Sequence, residues 1–223
     1  MSGRDYIKCP EAIYTLSFER VRAASDLSRF PDDVAEMVIR VIHASGMPSA
    51  ADDIAFTPDV AMKASSALAQ GAPILADCGM VASGITKRFL HPKTEIIMTL
   101  YDDGIPARAS AMGNTRSAAA VEDWKDHLSQ KDLGGAVVVI GNAPTALFHL
   151  LDRIDQGWGK PAAILAFPVG FVGAAESKDE LAARDDLSFL TIKGTRGGSA
   201  MASASVNAAA LLAGRLMQDE VGS

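Results

Sequence analysis

The sequence contains little cysteine and few aromatic residues. Cys9 and Cys78 are the two cysteines of the 223 residues, and aromatic residues make up 6% of the chain. Two thiols are too few for a disulfide framework or a metal site by themselves, so we expect them to be unpaired in a reducing cytoplasm. Hydrophobic residues still make up 48% of the chain. We therefore expect an aliphatic, alanine-rich core.

The sequence also lacks an excess of basic residues, long apolar runs and the usual nucleotide-binding motifs. The formal net charge of −6 argues against general affinity for nucleic acid, which needs a basic field. We find no apolar run of membrane-spanning length, and the start MSGRDYIKCPE lacks the apolar core of a secretion signal. The phosphate-binding P-loop and a GxGxxG after a strand are absent. We expect a cytoplasmic protein with no metal and no cofactor, which binds neither nucleic acid nor membrane.

Short apolar runs alternate with helical patterns along the chain. Because the runs are apolar throughout, they predict a parallel sheet that helices cover on both faces. We expect one α/β domain over residues 1–223, a three-layer α/β/α fold with a mainly parallel sheet of about five strands. The N-terminal helices, at about 10–45, would form part of the site. The predicted strands are 73–76, 95–100, 136–140, 162–167 and 189–192.

A glycine-containing turn follows the predicted strand 162–167. Gly170 and Gly173 allow a tight turn and a close approach of the backbone to a ligand. Strand, turn and helix start in this order build the ligand sites of α/β proteins at the carboxyl ends of their strands. An ordinary tight connection has the same pattern, so both interpretations stay open.

Three further turns precede predicted helices. Asn142 follows the strand 136–140 and can cap the next helix or contact a ligand. Arg116, in the polar turn 113–120, suits an anion such as a carboxylate at a helix start. The glycine-rich segment 194–199 can hold an anion or form a flexible turn.

Six segments of the sequence point to one family. They are IGNAPTALF at 140–148, PVGFVGAAESK at 168–178, GNTRSAAA at 113–120, GGSAM at 197–201, EAIYTLSFERVRAASDLSRF at 11–30 and VIHASG at 41–46. Together they resemble precorrin-8X methylmutase, also called cobalt-precorrin-8 methylmutase. The resemblance implies an isomerase of cobalamin biosynthesis. Such an enzyme moves a methyl group from C-11 to C-12 of ring C of precorrin-8X, giving hydrogenobyrinate or its cobalt-containing equivalent.

His43 is the candidate catalytic residue. On the predicted second helix it lies nearly opposite the apolar stripe, and Arg40 shares its polar face. A single histidine on a helix is most often a surface residue. The resemblance, however, places the family's catalytic histidine in the segment that VIHASG matches. Imidazole can donate and reaccept a proton near neutral pH, as a methyl shift across a conjugated system requires.

The resemblance also implies substrate contacts, since a corrin precursor carries acetate and propionate arms. Charged and neutral donors would bind these arms, and the candidates are Ser17, Arg40, Thr86, Lys87, Arg116 and Asn142. Lys178 is a further candidate, although for both Lys87 and Lys178 a solvated surface charge remains a strong alternative. Ser45 stands where we expect cysteine, and such departures leave open whether the substrate already carries cobalt.

Two segments of the sequence suggest contact with a partner. The Ala/Ser-rich last helix and exposed apolar residues in the loop 46–56 suggest close packing against a partner, and the resemblance implies a homodimer with active sites near the subunit interface. Small residues also let helices pack within one subunit. Partners would be the corrin-precursor substrate and product and neighbouring enzymes of the pathway. The alternative functions are a nucleotide-using enzyme and a non-catalytic tetrapyrrole- or corrinoid-binding protein.

Overall fold

Six short strands form one sheet in the computed structural model, which describes residues 4–128 and 135–221, with side chains up to residue 218. The sheet order is β1-β6-β5-β4-β2-β3; β1 is antiparallel to β6, and all other neighbours are parallel. The strands are β1 Ile54–Phe56, β2 Ile74–Ala76, β3 Ile96–Ile97, β4 Val137–Ile140, β5 Ala163–Ala166 and β6 Phe189–Ile192.

Helices connect the strands and flank the sheet. They are α1 Pro10–Ala24, α2 Asp32–Ser45, α3 Ala50–Asp53, α4 Val60–Ala69, α5 Gly79–Gly84, α6 Ile105–Met112, α7 Arg116–Val121, α8 Lys125–Leu128, α9 Pro144–Asp155, α10 Ala174–Ala182 and α11 Ser199–Val221. Short 3₁₀ turns lie at Lys87–Phe89 and Glu122–Trp124.

Helices cover both faces of the sheet. Successive side chains of a strand point to opposite faces, so Val137 and Val139 of β4 pack into one apolar cluster and Val138 and Ile140 into another. The first cluster includes residues of α2, α4 and α11, and the second includes those of α9. This arrangement confirms the predicted three-layer α/β/α fold.

The five predicted strands are all present, and the sequence missed β1. That strand lies in the segment 46–56, which we expected to expose apolar residues. This expectation was wrong: Ala50, Ala51 and Ile54 are at most 2% exposed. A three-residue strand is too short to show a period, and its pairing with β6 joins residues more than 130 positions apart.

The polar turn expected at 113–120 separates two helices, α6 and α7. α6 ends at Gly113, which adopts a left-handed conformation (φ +59°), and Thr115 then caps α7 by accepting a hydrogen bond from the Ala118 N–H. The polar Gly-Asn-Thr sequence therefore stops one helix and starts the next.

The expectation that the chain has no apolar run of membrane-spanning length was wrong for helix α11. Residues 199–218 are long and apolar enough to cross a membrane when length and composition alone are considered. Half of this stretch is buried inside the protein, where α11 packs mainly against α2 and α4. Its composition is thus that of a helix of the protein core.

The order of the strands reverses at β2. The chain runs from β2 to β3 on one side, then crosses to β4 on the other side of β2 and continues outward to β5 and β6. In doubly wound sheets, ligands bind in the crevice outside the carboxyl ends of the two strands at which this reversal occurs. Here those strands are β2 and β4.

Candidate active site

His43 lies on the last turn of α2. This helix starts with two acidic residues, Asp32 and Asp33, and ends at Gly46, whose φ of +67° is a left-handed conformation. Its buried side faces α11, whereas His43 is exposed. The structure therefore confirms the predicted polar position of His43.

Two residues of α1 contact the His43 ring. The Ser17 hydroxyl lies 2.9 Å from Nδ1, and the Phe18 ring stacks on the imidazole with centroids 4.9 Å apart and planes 19° from parallel. Within residues 4–128 and 135–221, His43 Nε2 forms no hydrogen bond. The ring is thus held at one nitrogen and along one face, and its second nitrogen can exchange a proton with a ligand.

Helix α1 has no fully buried residue, although Val21 packs against the core, and several polar and aromatic contacts join it to α2. The Arg40 guanidinium lies 5.1 Å from the centre of the Phe18 ring and 5.8 Å from that of Tyr14. Arg22 forms an ion pair with Glu36. Ser17 and Arg40 therefore belong to one contact region with His43, and Arg40 lies on the same helix face as His43, as the sequence predicted.

Two grooves adjoin this region. The first, about 490 Å³, lies between α1 and the end of α2; Ile13 and Leu16 form part of its apolar wall, and Ser17 and His43 also line it. The second, about 630 Å³, is lined by Arg40, Arg88 and Arg215 among other residues. Arg40 and His43 thus share a helix face but line different grooves.

The other predicted contacts lie near the carboxyl edge of the sheet or the turn after α5. Arg116 is exposed as the first residue of α7, and the hydrogen bond between the Thr115 and Thr145 hydroxyls, 2.7 Å long, joins the starts of α7 and α9. Asn142 is exposed directly before α9. No hydrogen bond in the described part of the chain links these residues to His43.

Thr86 and Lys87 follow α5. Lys87 is exposed and Thr86 is half-buried. The side-chain oxygen Oδ1 of Asn207 accepts a hydrogen bond from the Thr86 N–H at 2.8 Å, and the side-chain Nδ2 of Asn207 donates one to the Gly84 carbonyl oxygen at 2.9 Å. Sequence reasoning missed Asn207, although an isolated amide in an Ala/Ser-rich helix was the available signal.

Asp77, directly after β2, is a second residue that sequence reasoning missed. It is 3% exposed, and its carboxylate accepts three backbone N–H bonds: Gly141 at 3.0 Å, Asn142 at 2.9 Å and Ala143 at 2.9 Å. Burial raises the pKa of this carboxyl, and the three N–H donors oppose that rise. A single aspartate ending an apolar run was the available signal.

The interpretation of Asn142 as a helix cap was wrong. Ala143 occupies the N-cap position of α9, and no side chain of α9 or its flanking loop caps that helix. The buried Asp77 carboxylate instead accepts the N–H groups at this end. The Asn142 side chain makes no hydrogen bond within the described residues, so it is available to a ligand.

Lys178 corrects a further expectation, because it is fully buried and not solvated. It donates a hydrogen bond to the Arg196 carbonyl oxygen, and Arg196 also forms an ion pair with Asp53. Burial lowers the pKa of Lys178 to about 8. Lys178 thus fixes the loop that precedes α11 and is not a surface contact for carboxylates.

Comparisons with known proteins agree with this fold. The sequence profile described as Precorrin-8X methylmutase matches residues 12–212. The precorrin-8X methylmutase of Pseudomonas aeruginosa is 51% identical over 92% of this chain and 97% of its own length. The cobalt-precorrin-8 methylmutase of Priestia megaterium is 34% identical over 92% of this chain and 88% of its own. A solved structure of the Thermus thermophilus precorrin-8X methylmutase superposes with a TM-score of 0.81 at 32% identity, covering 93% of this chain and 98% of that one.

The fold and these matches define an intramolecular transferase of the isomerase class, built on a doubly wound α/β sheet. The chain belongs to the precorrin-8X methylmutase family. This membership confirms the resemblance that the sequence analysis drew from the opening residues 11–30, from residues 41–46 and from four later segments.

We predict that Lys178 makes stability depend on pH. Lysine in the unfolded chain keeps its proton up to about 10.5, whereas folded Lys178 loses it near pH 8. Between these values the unfolded state binds more protons, so the free energy of unfolding should rise with pH through this contribution. Urea denaturation of the wild type and of Lys178→Met between pH 7 and 10 measures it.

The rise in stability should be absent in Lys178→Met and present in the control Lys87→Met, which removes an exposed lysine. Parallel curves for the wild type and Lys178→Met across this range would contradict the burial effect.

Proposed function

We propose that this protein converts precorrin-8X to hydrogenobyrinate, by moving the methyl group at C-11 of ring C to C-12, as a step of cobalamin biosynthesis. The observation that carries the proposal is the His43 ring, held by Ser17 beside an apolar groove in a chain of the methylmutase family. The reaction is an isomerisation, so no atom leaves and no oxidant or reductant is consumed.

His43 acts as the proton donor and acceptor. Protonation of the conjugated system lowers its electron density where the methyl group migrates, and the proton returns to the histidine when the shift is complete. The bond between Ser17 and Nδ1 and the stacking on Phe18 fix the plane of the imidazole. A fixed plane holds the reactive nitrogen in the geometry that proton transfer requires.

The substrate's carboxylate arms bind to scattered donors and not to one deep charge. Arg40, Lys87 and Arg116 supply the positive charges, and Ser17, Thr86 and Asn142 supply neutral donors. Arg40, half-buried over aromatic rings, and the exposed Arg116 form no ion pair within the described residues, so both guanidinium groups can bind a carboxylate. The helices at 10–45 thereby form part of the site.

We propose that the natural substrate is precorrin-8X, which carries no metal, and not cobalt-precorrin-8. The two relatives named precorrin-8X methylmutase, from Pseudomonas aeruginosa and a Sinorhizobium species, are 51% and 49% identical to this chain. The relatives named cobalt-precorrin-8 methylmutase from Priestia megaterium and Salmonella typhimurium are each 34% identical. This difference in identity supports precorrin-8X as the natural substrate.

We further propose a cytoplasmic homodimer whose active sites lie near the subunit interface. The support is the loop 168–173, in which Phe171 is 94% and Val172 is 89% exposed. Met80, at 69%, and Tyr101, at 72%, add apolar surface beyond the ends of β2 and β3. Burial of such apolar side chains against a second copy would stabilise a dimer.

Product would pass to neighbouring enzymes of the pathway. The free thiol of the exposed Cys9 suits a reducing compartment such as the cytoplasm.

We predict that His43→Ala loses turnover but keeps binding. Loss of a positioned acid and base should lower the rate by about 10²–10⁴-fold, whereas an exposed residue contributes little to the core. The assay follows the visible spectrum of precorrin-8X as it converts to hydrogenobyrinate, and the colour retained on the purified protein reports binding. The control His127→Ala should keep its activity.

Near wild-type turnover by His43→Ala would assign the acid to another residue. Wild-type protein that binds the corrinoid, and turns colour, without converting it would instead indicate a non-catalytic binding protein.

We predict that the enzyme discriminates against the metallated substrate. Single-turnover rates with precorrin-8X should exceed those with cobalt-precorrin-8, since the more similar relatives carry the metal-free name. The two substrates should be assayed anaerobically at equal concentration with the same protein preparation. Equal or higher rates with the cobalt compound would contradict the substrate assignment while leaving the isomerase function intact.

We predict that replacing Phe171 and Val172, the most exposed large apolar residues among those the structure describes, weakens the dimer. Phe171→Ser combined with Val172→Ser should convert a dimer at micromolar concentration to monomer, as measured by light scattering. The control Tyr6→Ser changes a side chain that is 65% exposed on the segment before α1 and should stay dimeric. A wild-type monomer at micromolar concentration would refute the assembly.

A further inference from the structure

The chain itself places a buried carboxylate, that of Asp77, at the reversal of strand order. Asp77 follows β2, and the segment 141–143 follows β4, so the two lie at the carboxyl ends where doubly wound sheets bind ligands. Proteins with this sheet commonly place a phosphate or another anion against backbone N–H groups at this position.

Three successive N–H groups converge on the Asp77 carboxylate. Oδ1 accepts from Gly141, and Oδ2 accepts from both Asn142 and Ala143. Consecutive backbone N–H groups that point at one place form an anion-binding concavity, and here the concavity adjoins the start of α9, a helix of 12 residues whose dipole favours negative charge. The carboxylate therefore takes the position that a bound anion would occupy.

The loop is also fixed from its other side. A Cβ added at Gly141 would lie 2.6 Å from Val81 Cγ2 and 2.8 Å from Ala202 Cβ, so α5 and α11 press directly on the backbone. The packing on Gly141 and the hydrogen bond from the Asn142 N–H to the Asp77 carboxylate therefore restrict the backbone at Asn142 from both sides. The Asn142 side chain remains exposed and, within the described residues, without a hydrogen bond.

We propose that Asp77 is an internal anion that fills the anion site at the strand-order reversal and thereby positions Asn142 to contact the substrate. Asp77 is a positioning residue and touches no substrate. Because its carboxylate uses all three N–H groups, a nucleotide phosphate has no donors left on this loop. The contribution of Asn142 to substrate binding rests on the proposed methylmutase function, whereas the internal anion does not.

Removal of the carboxylate should leave an empty anion site that a small carboxylate can refill. Asp77→Ala lacks only the carboxylate, which formate replaces in size and charge. We expect Asp77→Ala to unfold at a lower urea concentration than the wild type, and added sodium formate to raise that midpoint more than sodium chloride at equal ionic strength. In the wild type and in Asp77→Asn a side chain still occupies the anion site. For these two proteins, formate should raise the urea midpoint no more than chloride does.

Kinetics test the positioning of Asn142. Asp77→Ala and Asn142→Ala should each raise KM for precorrin-8X about three- to tenfold, the effect of one lost hydrogen bond, with a smaller change in kcat. Formate should restore KM in Asp77→Ala. In the double variant Asp77→Ala/Asn142→Ala, formate should restore stability but not KM, because the donor itself is missing.

The outcomes separate the two claims. If formate stabilises Asp77→Ala no more than chloride does, the internal anion is refuted. If formate restores stability but KM stays raised, the positioning of Asn142 is refuted. If the wild type has no methylmutase activity, the proposed function fails while the denaturation experiment still decides the internal anion.

A second variant covers the case in which Asp77→Ala does not fold. Asp77→Asn keeps the volume but turns an amide N–H₂ towards backbone donors, so it should lose stability and gain nothing from formate. Wild-type stability and KM in Asp77→Asn would refute the proposal.

Discussion

The burial of the central strands on both faces determines where this protein can carry chemistry. All four residues of β4, β5 and β6 are buried, and a buried polar group costs free energy unless it is hydrogen-bonded. Functional side chains are therefore confined to the loops at the strand ends and to the helices outside the sheet. The candidate residues follow this division, with Ser17, Arg40 and His43 on α1 and α2 and Arg116 and Asn142 beside the carboxyl edge.

Helix α1 is attached to this core at its margin. It has no fully buried residue, although Val21 packs against the core cluster. Its contacts with α2 include the Ser17–His43 hydrogen bond, the Phe18 stacking, the Arg40 guanidinium over the Phe18 ring and the Arg22–Glu36 ion pair. Exposed ion pairs contribute about 0–1 kcal/mol each, so the ion pair adds little to the attachment of α1. A substrate or a second subunit that covers α1 would strengthen the same contacts, which agrees with a site completed on binding.

Sequence reasoning succeeded where the signal was local. The apolar run 136–140 gave β4, and helical spacing gave α2 with His43 on its polar side. It failed where the environment of a residue depends on distant parts of the chain. Asp77 is satisfied by N–H groups 64 to 66 positions later, and Lys178 is buried against a loop 18 positions later. Neither partner is visible in the residues that surround Asp77 or Lys178 in sequence.

The segments that revealed the family are largely loops fixed by these distant contacts. IGNAP at 140–144 holds the three N–H groups bound to Asp77, and the loop before GGSAM holds the carbonyl bound to Lys178. Gly197 lies so close to the loop after β5 that an added Cβ would be 2.4 Å from the Phe167 carbonyl oxygen. In these loops the residue types follow from the required backbone positions. The loops therefore identified the family, whereas the proposal that His43 is the acid rests on its position and its contact with Ser17.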